Sequence, residues 1–314
     1  MVALSQVLFY VNFCLQNYLF RRIVTINKGW SLGDNQGMEG LMKRGRKKTT
    51  EQPQLESLVA ELRTIDCSIE RTKLDQVLSF GQDAVPCLEA LIAEALEKTA
   101  CGGASSRPRN TDWFVVVHAL YLLAHLGAER SLSLVLKFLG QKQEVLDYWL
   151  HDLLNEDIWE LPYLLGSNQL GELETFVLNK QNNLYCRLAV CTALVQIALN
   201  DAAKQNQIRQ IFARVIELED EDPDFIGLVV SELMDWQDAA LKPLILSVLD
   251  RGGVWSGIIS AEDVEWCYER SHPRKLQPLE LHARYDYFGE HAYFSKDTKE
   301  APERIELRKL LKSV

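Results

Sequence analysis

The sixteen residues LYCRLAVCTALVQIAL, 184–199, constrain the fold of this chain more than any other stretch. The plainly polar residues in this stretch are Arg187, Thr192 and Gln196, and they are spaced four to five apart. That spacing places them on one narrow stripe of a helix. A helix that is apolar around the rest of its circumference is enclosed by neighbours on both flanks. The stretch therefore predicts an inner helix within a stack of helices.

Helical spacing of apolar residues continues on both sides of this stretch, from about Pro53 to Gly253. Inner helices are expected to begin near residues 113, 145, 183 and 224, in steps of 32, 38 and 41 residues. These steps are close to the periods of helical solenoids. We therefore expect an all-α fold, a HEAT-like α-solenoid built as a right-handed stack of antiparallel helix pairs. A non-repeating helical bundle is the alternative.

Changes in composition divide the chain into five segments. These are a non-folding leader at 1–52, apolar and then basic; N-terminal helices at 53–98; a linker at 99–111; a helical-repeat domain at 112–253; and a short irregular C-terminal cap at 254–314. The aromatic residues of the cap are expected to fold back on the last repeat, because a solenoid end otherwise exposes apolar surface.

The leader permits two further interpretations. Met38 is an alternative start, because the residues after it resemble an ordinary polar amino terminus. A membrane anchor at 1–20 is the other alternative, but an anchor needs about 20 apolar residues and polar residues such as Gln6 and Asn12 interrupt this run. We therefore expect no membrane partner.

Charge and cysteine content exclude some classes of partner. Residues 1–50 contain eight Lys and Arg against Asp34 and Glu39, about +6, so the rest of this chain of net charge −10 carries about −16. Such an acidic body repels phosphate backbones, which excludes nucleic acid as its expected ligand. The seven cysteines are scattered and never spaced CxxC, which favours free thiols and a cytoplasmic location.

Polar residues inside otherwise apolar helices are the candidate site residues. If the helices stack, these residues line up along a concave face as a polar ladder of His118, Asp152, Glu156, Asn183, Arg187, Glu232 and Asp235. We expect Arg187 to neutralise Asp152 or Glu156, because an unpaired buried carboxylate costs several kcal/mol. The acidic run 217–224 is expected to be a solvated turn.

A metal or catalytic site is the alternative for the same region. His118, His151, Asp152 and Glu156 supply two imidazoles and two carboxylates, which can hold a divalent ion. However, neither Glu-x-x-His nor His-x-x-x-His occurs there, and the chain has no Gly-rich phosphate loop, GxSxG elbow or Rossmann fingerprint. We therefore assign no catalytic residue, no metal and no cofactor.

Four segments between residues 112 and 268 carry a family resemblance. They are HALYLLAHLGAERSLSLVLKFL (118–139), DYWLHDLLNED (147–157), NLYCRLAVCTAL (183–194), and DEDPDFIGLVVSELMDW followed by ISAEDVE (259–265). In this order they resemble the bacterial domain-of-unknown-function family 1186. The family's Gly-Asp and Thr-Glu pairs appear here as His151-Asp152 and Asn155-Glu156, and the zinc-knuckle-like Cys motif of some members is absent. The resemblance implies a helical repeat fold and transfers no mechanism.

A stack of helix pairs presents a long curved surface without a deep, dry cavity. We therefore expect a non-enzymatic interaction module that binds another protein through its concave face or its acidic ridge. Three alternatives stay open. They are a metal-dependent or other enzyme, nucleic-acid handling as in HEAT-like glycosylases, and cofactor attachment as in HEAT-like phycobilisome lyases.

Overall fold

Helices make up the regular structure of this chain. The computed structural model describes residues 52–100, 114–150, 153, 157–254 and 258–290, and no strand occurs within them. The expected all-α class is therefore confirmed. The helices are α1 (Gln52–Glu61), α2 (Arg71–Ser79), α3 (Val85–Ala100), α4 (Phe114–His125), α5 (Leu132–Leu139), α6 (Gln143–Trp149), α7 (Glu160–Gly166), α8 (Leu170–Leu178), α9 (Leu184–Asn200), α10 (Gln205–Ile216), α11 (Pro223–Trp236), α12 (Lys242–Asp250), α13 (Ala261–Arg270) and α14 (Leu281–Glu290).

Local chemistry sets several of the helix starts. Asn183 caps α9, and its side-chain oxygen accepts hydrogen bonds from the main-chain amides two and three residues further on, at 3.0 and 3.2 Å. Asp222 caps α11, which has Pro223 in its first turn. Ser260 and Asp263 form a reciprocal capping box at α13. These side chains bind amide groups that have no partner inside the helix, as the sequence predicts for the last two caps.

Two rows of helices pack around α9. In the inner row, α4, α7, α9 and α11 contact one another in that order, and in the outer row α8, α10 and α12 do the same. α9 also contacts α8 and α10, so protein surrounds it on several sides. Its polar residues Arg187, Thr192 and Gln196 are themselves buried. The prediction of an enclosed inner helix is therefore confirmed, and its polar stripe is covered by protein.

The prediction that an inner helix begins near residue 145 is wrong. The short helix at that position is α6, and the helix that lies between α4 and α9 in the inner row is α7, which begins at Glu160. Pro162 explains the difference, because proline lacks an amide hydrogen and is tolerated only in the first turn of a helix. The inner helices are therefore unevenly spaced along the chain. His151, Asp152 and Glu156 precede α7 and lie outside the described residues.

A ten-residue segment without helix or strand, 271–280, follows α13 and leads to α14. We call this segment the strap. Ten extended residues span up to roughly 33 Å, enough to cross several helices. The rings of Tyr285 and Phe288 on α14 lie against His118 and Phe114 of α4, with centroids 5.5 and 5.8 Å apart. For these two aromatic residues, the expected packing on the last repeat is wrong.

The described helices belong to one compact unit, residues 48–314. The leader at 1–52 with its alternative start at Met38, and most of the linker at 99–111, lie outside the described residues, so they stay predictions. Within the described part, no single helix is both long and apolar enough to cross a membrane. One bent pair, Leu184–Asn200 with Ala202–Ile216 at 118°, meets that test by length and composition only when both helices are combined.

Candidate functional site

The strap crosses polar side chains of the inner row, and Gln196 makes the central contact. Its Oε1 accepts a hydrogen bond from the main-chain amide of Leu276 at 2.7 Å, and its Nε2 donates to the carbonyl oxygen of Arg274 at 3.2 Å. The Gln196 side chain is fully buried, with 0% of its surface exposed. One amide side chain therefore satisfies an N–H and a C=O of the same extended segment.

Inner-row helices on both sides of α9 also bind the main chain of the strap. On α11, the carbonyl oxygen of Asp235 accepts the amide of Arg274 at 2.8 Å, and its carboxylate lies 3.7 Å from the Arg274 guanidinium. On α7, Glu160 Oε1 accepts the amide of Leu279 at 3.0 Å. On α4, Nε2 of His125 lies 3.2 Å from the carbonyl oxygen of Leu279. The strap thus meets α11, α9, α7 and α4 in turn, in the reverse of their chain order.

Arg284 fixes α14 to the inner row beyond the strap. Its guanidinium is fully buried and binds the carboxylates of Asp157 and Glu160 through different nitrogens. The same guanidinium lies 5.4 Å from the ring centre of Tyr121. Burial raises the pKa of the Glu160 carboxyl to about 7, although the Arg284 charge and the Leu279 amide oppose this rise. Glu160 therefore joins the strap to α14.

His118, a predicted site residue, is buried beneath α14. Its Nε2 lies 3.0 Å from the carbonyl oxygen of Ile65, which can only accept, so Nε2 carries the hydrogen. Nδ1 therefore accepts the hydroxyl hydrogen of Tyr285, at 2.5 Å. Burial lowers the pKa of His118 to about 4. With both ring nitrogens bound to protein, the described geometry leaves neither free to coordinate a metal.

The lowered pKa of His118 predicts a pH dependence of stability. Between pH 6.5 and about 4 the unfolded chain binds a proton at this imidazole that the folded chain does not bind. Its contribution to stability is therefore complete above pH 6.5 and is lost as the pH falls towards 4, at about 1.4 kcal/mol per pH unit. We expect the free energy of unfolding of His118→Gln, measured with urea across this interval, to fall less steeply with decreasing pH than that of wild type.

The control for this experiment is His272→Gln, at an exposed position of the strap. Groups that titrate in both proteins cancel when the slopes of wild type and variant are compared. Equal slopes for wild type and His118→Gln would contradict the assignment of this proton to His118.

Arg187, the buried cation of the predicted ladder, binds Glu221 in the described part of the chain. Its Nη1 and Nη2 donate to the two carboxylate oxygens of Glu221 at 3.1 and 2.6 Å, and its Nε donates to the carbonyl oxygen of Val177 at 2.7 Å. The guanidinium also lies 3.8 Å from the ring centre of Phe225. The Glu221 side chain is only 5% exposed, so the expected solvated turn is wrong for this residue. The predicted partners Asp152 and Glu156 lie outside the described residues.

The remaining predicted residues have different roles. Asn183 is the cap of α9, and its side-chain amide donates to Gln143 of α6 at 2.5 Å. Glu232 lies half-buried on α11, and Asp235 of the same helix contacts the strap. The C-terminal segment therefore contacts both His118, through α14, and Asp235, through the strap. Asn183 and Arg187 make contacts elsewhere.

Gln196, Glu160 and Arg284 are among the site residues that the predicted ladder did not contain. Pro162 marks the first turn of a helix, and Glu160 is the acidic residue of that turn. The sequence therefore contained a usable signal for Glu160. Arg284 carried a weaker signal, as a cation among the aromatic residues of α14. Nothing local indicates that Glu160 and Arg284 meet, since 124 positions separate them.

Two further observations concern metal and small-molecule binding by the described residues. Within them, no group of three or more His, Cys, Asp or Glu side chains is arranged to hold a metal ion. Three residues of the alternative metal site, His151, Asp152 and Glu156, lie outside that part of the chain. A shallow depression of about 360 Å³ around Trp266 is lined by α13 alone. It therefore lacks the walls from other elements that enclose a small-molecule ligand.

Comparison with known proteins identifies the family. The family model described as Protein of unknown function (DUF1186) matches residues 54–292. The chain belongs to this family. The DUF1186 match is longer than the expected resemblance over 112–268, and it contains the whole strap and α14. No curated protein and no solved structure matches the chain.

Proposed function

We propose that this DUF1186 chain is a non-enzymatic protein-interaction module whose inner row binds an extended segment of polypeptide. The observation that carries the proposal is the contact between Gln196 and the strap. A buried amide side chain binds an N–H and a C=O of an extended main chain, and these two groups are present in every polypeptide. The surface is therefore suited to a protein ligand.

The neighbouring contacts support the same interpretation. Glu160 and Asp235 accept main-chain amides of the strap, and His125 lies beside one of its carbonyl groups. Main-chain hydrogen bonds of this kind provide affinity for extended peptides, while pockets for alternate side chains provide specificity. Four helices of one row supply these contacts, so they form a continuous surface.

We further propose that the two rows form a HEAT-like right-handed stack and that the protein acts in the cytoplasm. The successive contacts within each row support the stack, because repeats of this kind touch mainly their neighbours. The free thiols of Cys186 and Cys191 support a reducing compartment. Burial raises the pKa of both thiols, so these cysteines are suited to packing and not to nucleophilic chemistry.

A photo-crosslinking experiment tests the binding surface. Peptides selected from a random display library against the full-length chain would be resynthesised with a benzophenone group and irradiated in complex with it. We expect the crosslinks, mapped by mass spectrometry, to fall on α4, α7, α9 and α11. Crosslinks confined to the outer-row helices α8, α10 and α12 would overturn the proposal.

A further inference from the structure

The strap lies on the inner row as a ligand lies on a surface. None of its ten residues is buried, and the residues from Arg274 to Pro278 alternate between partly covered and exposed. Arg274, Leu276 and Pro278 are partly covered, while Lys275 and Gln277 are exposed. This period of two is that of an extended chain with one side against a surface.

The contacts of the strap also differ in kind from those within the rows. Main-chain hydrogen bonds hold most of the strap, whereas α14 is anchored by the buried side chains of Leu281, Tyr285 and Phe288 and by the ion pairs of Arg284. Neutral polar contacts exchange for contacts with water at little net free energy. A segment held in this way belongs to the part of a protein that opens most readily.

Two covered positions of the strap meet a matching group. Arg274 lies beside the carboxylate of Asp235, and Leu276 packs against the hydrophobic core. The amides that the inner row binds are those of residues 274, 276 and 279, so Pro273 and Pro278 fall where no amide is needed. Proline also limits the conformational entropy that an extended segment loses on binding.

We propose that the strap is an intramolecular occupant of the peptide-binding surface, and that a partner protein reaches this surface by displacing it. The partner segment has the strap's own chemistry: extended, with a basic residue two positions before a leucine and a proline two positions after it. This inference rests on the proposed function. It adds the class of partner and a regulatory step.

Tethering gives the strap an advantage over a free peptide. A segment joined to its binding surface by a short connection acts at roughly millimolar effective concentration. The partner therefore binds the closed protein more weakly than it binds an open one. Weakening the strap, with the inner row unchanged, raises the apparent affinity for an added peptide.

The test uses a fluorescein-labelled synthetic peptide, SHPRKLQPLEL, which is the sequence of residues 271–281. Its binding to the full-length chain is measured by fluorescence polarisation. Leu276→Pro removes the amide that Gln196 accepts and leaves the inner row intact. We expect this variant to bind the peptide at least about tenfold more tightly than wild type. The matched control, Gln277→Pro, changes an exposed position and is expected to bind like wild type.

Two further proteins and one altered peptide localise the effect. Adding Gln196→Ala to Leu276→Pro is expected to abolish the gain, whereas adding Gln210→Ala on the exposed side of α10 is expected to preserve it. A peptide with glutamate in place of its arginine is expected to bind more weakly, because it meets the carboxylate of Asp235. Equal binding of the two peptides would overturn the assigned basic preference.

The outcomes separate this inference from the proposed function. Equal binding to wild type and Leu276→Pro, with crosslinks on the inner row, overturns self-occupation and leaves the peptide-binding function standing. No binding to either protein overturns both. If Leu276→Pro fails to fold, hydrogen exchange of the wild type decides the question. Added peptide is expected to speed exchange of the amides at 274–280, and unchanged exchange there overturns the inference.

Discussion

Arg284→Ala is expected to lower the free energy that holds α14 on the inner row by about 3 to 5 kcal/mol. The guanidinium of Arg284 is fully buried and binds both Asp157 and Glu160. Removing it leaves the Glu160 carboxyl, 1% exposed and with a pKa that burial already raises to about 7, either charged without a partner or obliged to take up a proton. Breaking one side of a buried pair costs more than the pair contributes, which makes this a large effect. Amide hydrogen exchange of α14 measures the opening free energy directly.

Two variants make the interpretation of Arg284→Ala specific. Arg270→Ala removes an exposed arginine at the end of α13 and is expected to change stability by no more than about 0.5 kcal/mol. Arg284→Met combined with Glu160→Gln removes both charges and is expected to recover part of the loss, because no uncompensated glutamate remains. A loss in Arg284→Ala as small as that in Arg270→Ala would show that the buried ion pair does not hold α14.

Arg187→Ala is expected to destabilise the whole chain by about 3 kcal/mol in equilibrium urea unfolding. Arg187 lies on α9, the helix with neighbours in both rows, and it is 3% exposed. The variant loses the two-point contact with Glu221, the bond to the Val177 carbonyl and the contact with the Phe225 ring. Glu221 is then left 5% exposed without a counter-charge.

The matched control is Arg63→Ala, just after α1. Arg63 also binds a carboxylate at two points, since its Nη1 and Nη2 donate to the oxygens of Glu94 at 2.6 and 2.8 Å, but the two side chains are 39% and 43% exposed. Water screens such a pair, so the expected loss is about 1 kcal/mol or less. If both arginine variants lose the same amount, burial does not set the cost of breaking these pairs.

Local patterns predicted the central helix and the cap of α11 because their causes are local. The apolar circumference of 184–199 required enclosure, and Asp222 before Pro223 required a helix start; both are present. The inner helix near 145 failed because apolar spacing alone does not separate α6 from α7. The proline in the first turn of α7 is the feature that decides where that helix begins.

The contacts of the candidate site could not be predicted in the same way. His118 was identified as a polar residue inside an apolar helix, but its partner Tyr285 lies 167 positions away. Glu221 belongs to an acidic run that local composition assigns to solvent, and the buried charge of Arg187 is what draws it inward. Such pairs depend on where a distant part of the chain returns, and this information is not in any local window.

The strap also sets an order on folding. Most contacts within the two rows join helices that are near in sequence, and such contacts form quickly. The bond between His118 and Tyr285 closes a loop of 167 positions, which carries a larger entropic cost and lacks support until α4 is in place. We therefore expect refolding in two steps, with a fast phase that assembles the rows and a slower one that seats α14. A newly made chain passes through an interval in which Gln196 is uncovered, and in that interval another polypeptide binds there without first displacing the strap.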